Sequence, residues 1–340
     1  MAAGAPIGLD VGTVSIRAVE TGRGKDGPVI RNFAQALLPR GAVQGGVVHD
    51  DKAVTLALKQ LWASAKFRSR QVVLGVTNRQ VVVRRMTVAN LPERELRKSL
   101  PFQVRDALPL PPDKSLLDFY RLEDPGGAEN VEGLLIAAPK EPVLAAVRAV
   151  ERAGLHVARV DLASFALLRA ASWLDGQVEA LIDIGARATS VVVHADGRPF
   201  IVRTVPRGGE EITELIASRL GATVAEAESL KCRVGLHTDE GPETAEVIRE
   251  ALRPLVSEIR GSFAYLTTNG QQTRVRRLVL SGGGSLLPGL ADVLRAQLEV
   301  EVTLADPIMR LRDARRGKHD SLEQLRSSAA VSIGLTLGAA

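Results

Sequence analysis

Two carboxylates stand in the same local setting. Asp10 lies in Ile7-Gly8-Leu9-Asp10-Val11-Gly12-Thr13 and Asp183 in Ala180-Leu181-Ile182-Asp183-Ile184-Gly185-Ala186. Each is an apolar run ending in Asp, then one apolar residue, then Gly. An Asp at the end of a strand presents its carboxylate at the sheet end, and the Gly lets the main chain turn sharply and approach a ligand with no Cβ in the way. One Asp-x-Gly carries little weight, since many hairpins begin that way. Two copies, separated by half the chain, point to two similar halves that can grip a polyphosphate and its metal from two sides.

Two further segments have the residue types to complete such a site. Arg277-Leu278-Val279-Leu280 runs into Ser281-Gly282-Gly283-Gly284-Ser285, and Pro288 then opens an apolar-periodic stretch through Leu290, Val293, Leu294 and Leu298. This reads as strand, glycine loop and helix, with exposed N–H groups and a flat surface on which a ring can lie. Pro206-Arg207-Gly208-Gly209-Glu210-Glu211-Ile212-Thr213 is followed by Thr223-Val224-Ala225-Glu226, a capping-box start for a helix carrying Glu228 and Lys231. On their own, Glu228 and Lys231 read as solvated helix charges.

The elements that must position these residues follow from periodicity. Residues 7–11, 15–20 and 29–37 read as a meander, and Asp50 or Asp51 caps a helix with Val54, Leu58, Leu61 and Trp62 on one face. Residues 72–76 form a buried-type strand, with Val81-Val82-Val83 after it. From about Arg84 the pattern changes. An extended stretch, a helix from Pro92 interrupted near Pro101, two strands and a helix over 141–153 make a small α+β module. A helix through Phe165, Leu168 and Ala171 leads back, and the second half begins near Val178. A long apolar-striped helix follows Pro242.

Together these pieces resemble the nucleotide site of the actin-like ATPase superfamily. The match is closest to the PilM family of type IV pilus assembly proteins, carried by Gly8-Leu9-Asp10-Val11-Gly12-Thr13-Val14-Ser15-Ile16-Arg17, Leu91-Pro92-Glu93-Arg94-Glu95-Leu96, Ala153-Gly154-Leu155 and Asp183-Ile184-Gly185-Ala186-Arg187-Ala188-Thr189. The resemblance implies an α/β fold of two lobes built from duplicated ribonuclease-H-like halves, with an FtsA/PilM-type insertion in lobe one. Its divisions would be 1–84 (lobe one), 85–156 (the insertion), 157–177 (return to lobe one), 178–326 (lobe two) and 327–340 (a closing helix).

By the same resemblance the cofactors are ATP and Mg2+. Residues 8–15 are the first phosphate loop, with Gly12, Thr13, Val14 and Ser15 at the phosphates; Gly185, Ala186 and Thr189 serve from the other side. Asp10 and Asp183 hold the metal, directly or through water. Gly208 and Gly209 start a helix beside the nucleotide, Glu228 and Lys231 meet ribose and adenine, and Gly282, Gly283, Gly284 and Ser285 form the adenosine loop. Glu210 and Glu211 are the candidates for orienting water, though first-turn acids are also favoured by the helix dipole alone; hydrolysis is expected to be slow or absent. Arg17 stands where the family often has Lys and changes the geometry of that charge.

The implied partner is the cytoplasmic N-terminal tail of the inner-membrane protein PilN, and through it the PilN/PilO complex and motor-associated proteins. The receiving groove is expected between lobe one and the insertion, with Phe102 and Val104 on the exposed side of its helix and the edge near residues 81–85. The implied location is cytoplasmic, with membrane contact only through PilN. The other readings are an FtsA-like or other filament-forming bacterial actin and a small-molecule kinase of the same fold. FtsA relies on an amphipathic membrane helix after the fold closes, for which little chain is expected here. A kinase needs an acceptor pocket and a carboxylate base.

Composition narrows the class. The 340 residues suffice for two cores. A net charge of +5, with two Tyr, two Trp and seven Phe, argues against nucleic acid, which needs a concentrated basic face and stacking platforms. The densest basic run, residues 310–318, has the charge to touch an anionic lipid surface but reads more simply as a solvated loop near the end of the second lobe. The single cysteine, Cys232, excludes an internal disulfide.

Overall fold

The computed structural model describes residues 5–25, 27–122, 126–268, 274–309, 311–313 and 326–338. In chain order the elements of lobe one begin with β1 (Ile7–Val11), β2 (Ser15–Gly24), β3 (Gly27–Leu37), β4 (Val43–Gln44), β5 (Val47–Val48), α1 (Asp51–Ala65) and β6 (Gln71–Val76). Asp50 caps α1, its side chain accepting from the Ala53 N–H. The inserted module contains β7 (Val82–Ala89), α2 (Glu93–Gln103), β8 (Ser115–Arg121) and β9 (Asn130–Pro139). The chain returns through α3 (Lys140–Arg152), β10 (His156–Leu162) and α4 (Ala163–Ala171). Lobe two follows as β11 (Val178–Ile184), β12 (Thr189–Ala195), β13 (Arg198–Val205), α5 (Gly209–Leu220), α6 (Val224–Val234), α7 (Pro242–Thr268), β14 (Arg277–Ser281), α8 (Leu290–Leu298) and β15 (Glu301–Leu304). A short β16 (Arg312–Asp313) and α9 (Ala330–Leu337) end the described chain.

The duplication predicted from the two Asp-x-Gly segments is a duplication of topology. Lobe one's sheet runs β10-β6-β1-β2-β3-β16 and lobe two's runs β13-β12-β11-β14-β15. In both, the strand carrying the Asp pairs antiparallel with the next strand and parallel with its other neighbour in the sheet, β6 or β14. The central strands are mostly apolar apart from Asp10, Glu179 and Asp183, because both faces of each sheet are largely covered.

Helices α4 and α9 lie between the two sheets. Leu167, Ala330 and Leu335 share one core with Val73 of lobe one and Leu181, Val192 and Val279 of lobe two. The approach of α9 is at backbone contact: a Cβ on Gly8 would lie 2.0 Å from the Ser332 carbonyl oxygen, and one on Gly334 would lie 1.8 Å from that of Ala166. No larger residue fits at either crossing.

The inserted module is built on one three-stranded sheet. Strand β7 joins its sheet, β7-β9-β8, from Val82 onward, pairing there with Ala137 of β9. Helix α3 packs on lobe one, where Ala149 and Val150 share a core with Leu58 and Leu61 of α1, and β10 extends lobe one's sheet. Helix α2 continues past Pro101 to Gln103, since a proline in the last turn interrupts little of the ladder. Of the basic run 310–318, only Leu311, Arg312 and Asp313 are within the described residues, and the last two pair with β3.

Candidate functional site: an interlobe cleft

The β1–β2 and β11–β12 turns are built alike. Gly12 N–H donates to the Ser15 carbonyl at 3.0 Å, and Gly185 N–H donates to the Ala188 carbonyl at 3.0 Å. A Cβ would meet those same oxygens at 3.0 and 2.9 Å, which makes glycine the residue that closes each turn. Val14 is exposed at the first tip and Thr13 half-buried beside it.

Asp10 and Asp183 stand two residues before the glycine of each turn, near enough for the Asp183 charge to act on Asp10. Burial pushes the Asp10 carboxyl up to about 6, with the Arg17 guanidinium pulling it down and the Asp183 charge pushing it up. Burial also raises Asp183, against a hydrogen bond from Ser281 and the charge of Arg17. Arg17 stands directly across the β1–β2 ladder from Asp10, with Nη1 at 3.6 Å from Oδ2, and its buried Nε has no hydrogen-bond partner. Two carboxylates facing one guanidinium leave the centre of the cleft short of positive charge.

The second hairpin is held from behind by the start of α5. Gly209 and Glu210 N–H groups donate to the Gly185 and Ala186 carbonyls at 2.9 and 2.8 Å, and a Cβ on Gly208 would lie 2.4 Å from the Gly185 oxygen. Lys231 ties α6 to the same turn, with Nζ at 3.1 Å from the Gly209 oxygen, 2.8 Å from Thr213 Oγ1 and 2.7 Å from Glu228 Oε2. Lys231 and Thr213 hold the Glu228 carboxyl below the usual range, against the opposing effect of its partial burial.

The glycine loop packs against the end of β11. Gly282 has φ 82°, and a Cβ there would lie 2.4 Å from the Ile184 oxygen; one on Gly284 would lie 2.4 Å from Ile184 Cγ2. Gly283 faces open space. The loop, the second hairpin, the α5 start and α6 thus form one continuous wall.

Several expected side chains point elsewhere. Thr189 is fully buried and its hydroxyl donates to the Arg207 carbonyl at 2.8 Å, because it is the first paired residue of β12. Ser15, at the equivalent place in β2, is also buried. The Ser285 hydroxyl turns inward to the Gly282 carbonyl at 2.6 Å and shapes the loop. Glu210 is gripped by Arg40 and Arg187, and Glu211 by Arg207 at 2.9 Å. The sequence reading missed Arg40 and Glu214, which only the fold brings to the rim.

A second concavity, of about 910 Å3, lies where the module meets the two lobes. Two edge strands, β8 of the module and β10 of lobe one, border it. Tyr120 and Val160 are 47% and 39% exposed, and the Tyr120 ring stands 5.8 Å from that of Phe165. Lobe two contributes Asp196, Gly197 and Pro199. Phe102 is 83% exposed on the outer face of α2 and lines neither this groove nor its neighbour along β8. Val104, expected on that exposed face, is fully buried with Leu96, Leu100 and Leu135 in the module core.

Two duplicated sheets with facing Asp-x-Gly hairpins and a glycine loop define the fold of the actin-like ATPases. The MreB5 protein of Spiroplasma citri, solved with ADP, shares that fold at a TM-score of 0.55 and 16% identity, over 98% of this chain and 95% of that one. The chain belongs to the family described as type IV pilus assembly protein PilM, whose model matches residues 8–340. A solved PilM-PilN type IV pilus biogenesis complex superposes with a TM-score of 0.87 at 28% identity, over 98% of each chain. The cell division protein FtsA of Bacillus subtilis is 30% identical over 52% of this chain, a match that spans 45% of that protein.

The donor set in the cleft fits Mg2+. Among the described residues no group of three or more His, Cys, Asp or Glu side chains comes together, so a purely protein cage is absent there. Mg2+ is commonly held by one or two carboxylates together with phosphate oxygens and waters. Asp10 and Asp183 are such a pair.

Proposed function

We propose that this protein binds Mg·ATP between its lobes and acts as a nucleotide-dependent scaffold of type IV pilus assembly, holding the N-terminal tail of a PilN-type inner-membrane protein in the groove between β8 and β10. The observation that carries the nucleotide reading is the nearness of Asp10 and Asp183, each raised by burial and short of a counter-charge. Asp10 and Asp183 would hold the metal. The bound ion supplies charge neutralisation for the phosphates. The N–H groups of Thr13 and Val14 in the first turn and of Ala186 to Ala188 in the second would meet the phosphates, and Gly283 leaves a flat surface for the base.

The partner reading is supported by the likeness to a PilM-PilN complex and by the form of the groove. An extended tail can lay apolar side chains against Tyr120, Val160 and Phe165 while its backbone pairs with an open strand edge. Among the described residues no helix is long and apolar enough to cross a membrane; the proposed route to the membrane is through the partner. Turnover is proposed to be slow, since the candidate acids at the α5 start are engaged by arginines.

Calorimetric titration with a synthetic PilN-tail peptide tests the partner reading. Tyr120→Ala should weaken binding by about tenfold, as expected for a buried aromatic anchor, while Phe102→Ala leaves it unchanged. Equal affinity in wild type and Tyr120→Ala would place the peptide elsewhere.

A further inference from the structure

Four charged side chains join the two phosphate hairpins across the cleft. On lobe one, Leu38 N–H donates to the Val14 carbonyl at 2.8 Å, which ties the chain after β3 to the tip of the first hairpin. The β4–β5 hairpin that follows is seated on the end of β6, where a Cβ on Gly46 would lie 1.5 Å from the Thr77 oxygen. Arg40, between these two anchors, therefore springs from a fixed origin. Its guanidinium reaches into lobe two: Nε donates to Glu210 Oε1 at 2.8 Å and Nη2 to Glu214 Oε1 at 3.1 Å. Arg187, in the tip of the second hairpin, holds the same carboxylates, with Nε at 2.6 Å from Glu210 Oε2 and Nη2 at 3.0 Å from Glu214 Oε1.

We infer that Arg40, Glu210, Glu214 and Arg187 form a charge latch that closes the phosphate side of the cleft and must release for nucleotide to enter or leave. The inference rests on the nucleotide reading of the cleft. The lobes share an apolar core around α4 and α9, so they stay joined there while the rim opens. Opening removes Arg40 from both carboxylates and leaves them with Arg187 alone. Single exposed ion pairs do little, but here Glu210 is only 11% exposed and two arginines share two carboxylates, an arrangement that is lost cooperatively. Incoming phosphates offer Arg40 and Arg187 a competing anion, so the same side chains that shut the empty cleft can turn to the nucleotide.

Stopped-flow binding of Mg2+ with a methylanthraniloyl-labelled ATP tests the latch. Arg40→Ala should raise both the association and dissociation rates by about tenfold, with a smaller change in Kd, as loss of a networked pair at the rim implies. Raising salt from about 0.05 to 0.5 M should narrow the difference in rates between the wild type and the variant. Arg219→Ala, which breaks a more exposed pair with Glu250 inside lobe two, should change nothing. Wild-type rates in Arg40→Ala overturn the latch. If the wild type binds no labelled nucleotide, the nucleotide reading fails, and hydrogen exchange of the nucleotide-free protein decides the latch separately. Faster exchange in Arg40→Ala at residues 10–15 and 183–188 upholds it, and unchanged exchange there overturns it.

Discussion

Asp10 is kept partly protonated near neutral pH by the surroundings that fit it to a cation. Its folded value of about 6 exceeds the ordinary 3.8, so the folded chain binds a proton that the unfolded chain has released. The resulting stability is fully present below about pH 4 and is lost as pH rises through 6. Asp10→Asn should remove that loss: without nucleotide, the variant should unfold at a higher temperature than the wild type at pH 7.5, with the difference closing below pH 5. The same variant should lose the Mg2+-dependent part of nucleotide binding, and wild-type affinity for Mg·ATP should rise between pH 5 and 7 as the carboxyl ionises. A thermal-unfolding series across that range checks both. These two carboxylates and the glycines beside them were legible in the sequence because turn chemistry is local. The inward hydroxyls of Thr189 and Ser285 were not, because a hydroxyl's direction depends on which carbonyl the fold brings within reach.

At the scale of elements, tight backbone crossings set what the fold tolerates. Gly334→Ala pushes a methyl toward the Ala166 carbonyl on α4, and overpacking at an unyielding backbone should cost about 3 kcal/mol, read as a fall in thermal midpoint. Leu96 and Leu100 of α2 and Val104 just after it recur at the spacing of one helical face, and all three are buried, while Phe102 lies on the other. Val104→Asp should therefore destabilise by about 3 kcal/mol or more, and Phe102→Ala by no more than about 0.5 kcal/mol; chemical denaturation of both variants separates them. Strand and helix existence followed from periodicity almost throughout. Where each element packs did not: α3 has the same amphipathic pattern whether it covers the module or lobe one, and only the placement of Ala149 and Val150 against α1 decides.

For the molecule as a whole, the proposed nucleotide and partner sites would be linked through the lobe angle. The cleft takes Asp10 from one lobe and Asp183 from the other, and the groove takes Val160 from lobe one and Pro199 from lobe two. A ligand that favours one angle changes affinity at the other site, and by linkage the factor is the same in both directions. Peptide titrations with and without saturating Mg·ATP, repeated in the reverse order, should return one coupling factor, of about fivefold or more. The central claim is that the cleft holds nucleotide. The most direct measurement is calorimetric titration of the wild type with Mg·ATP at pH 7.5, alongside Asp183→Asn. The account predicts saturable one-site binding that is lost in the variant, with thermal stabilisation of about 2.7 kcal/mol at a hundredfold excess over Kd. Absence of binding to the folded wild type at millimolar Mg·ATP, or undiminished binding by the variant, would contradict it.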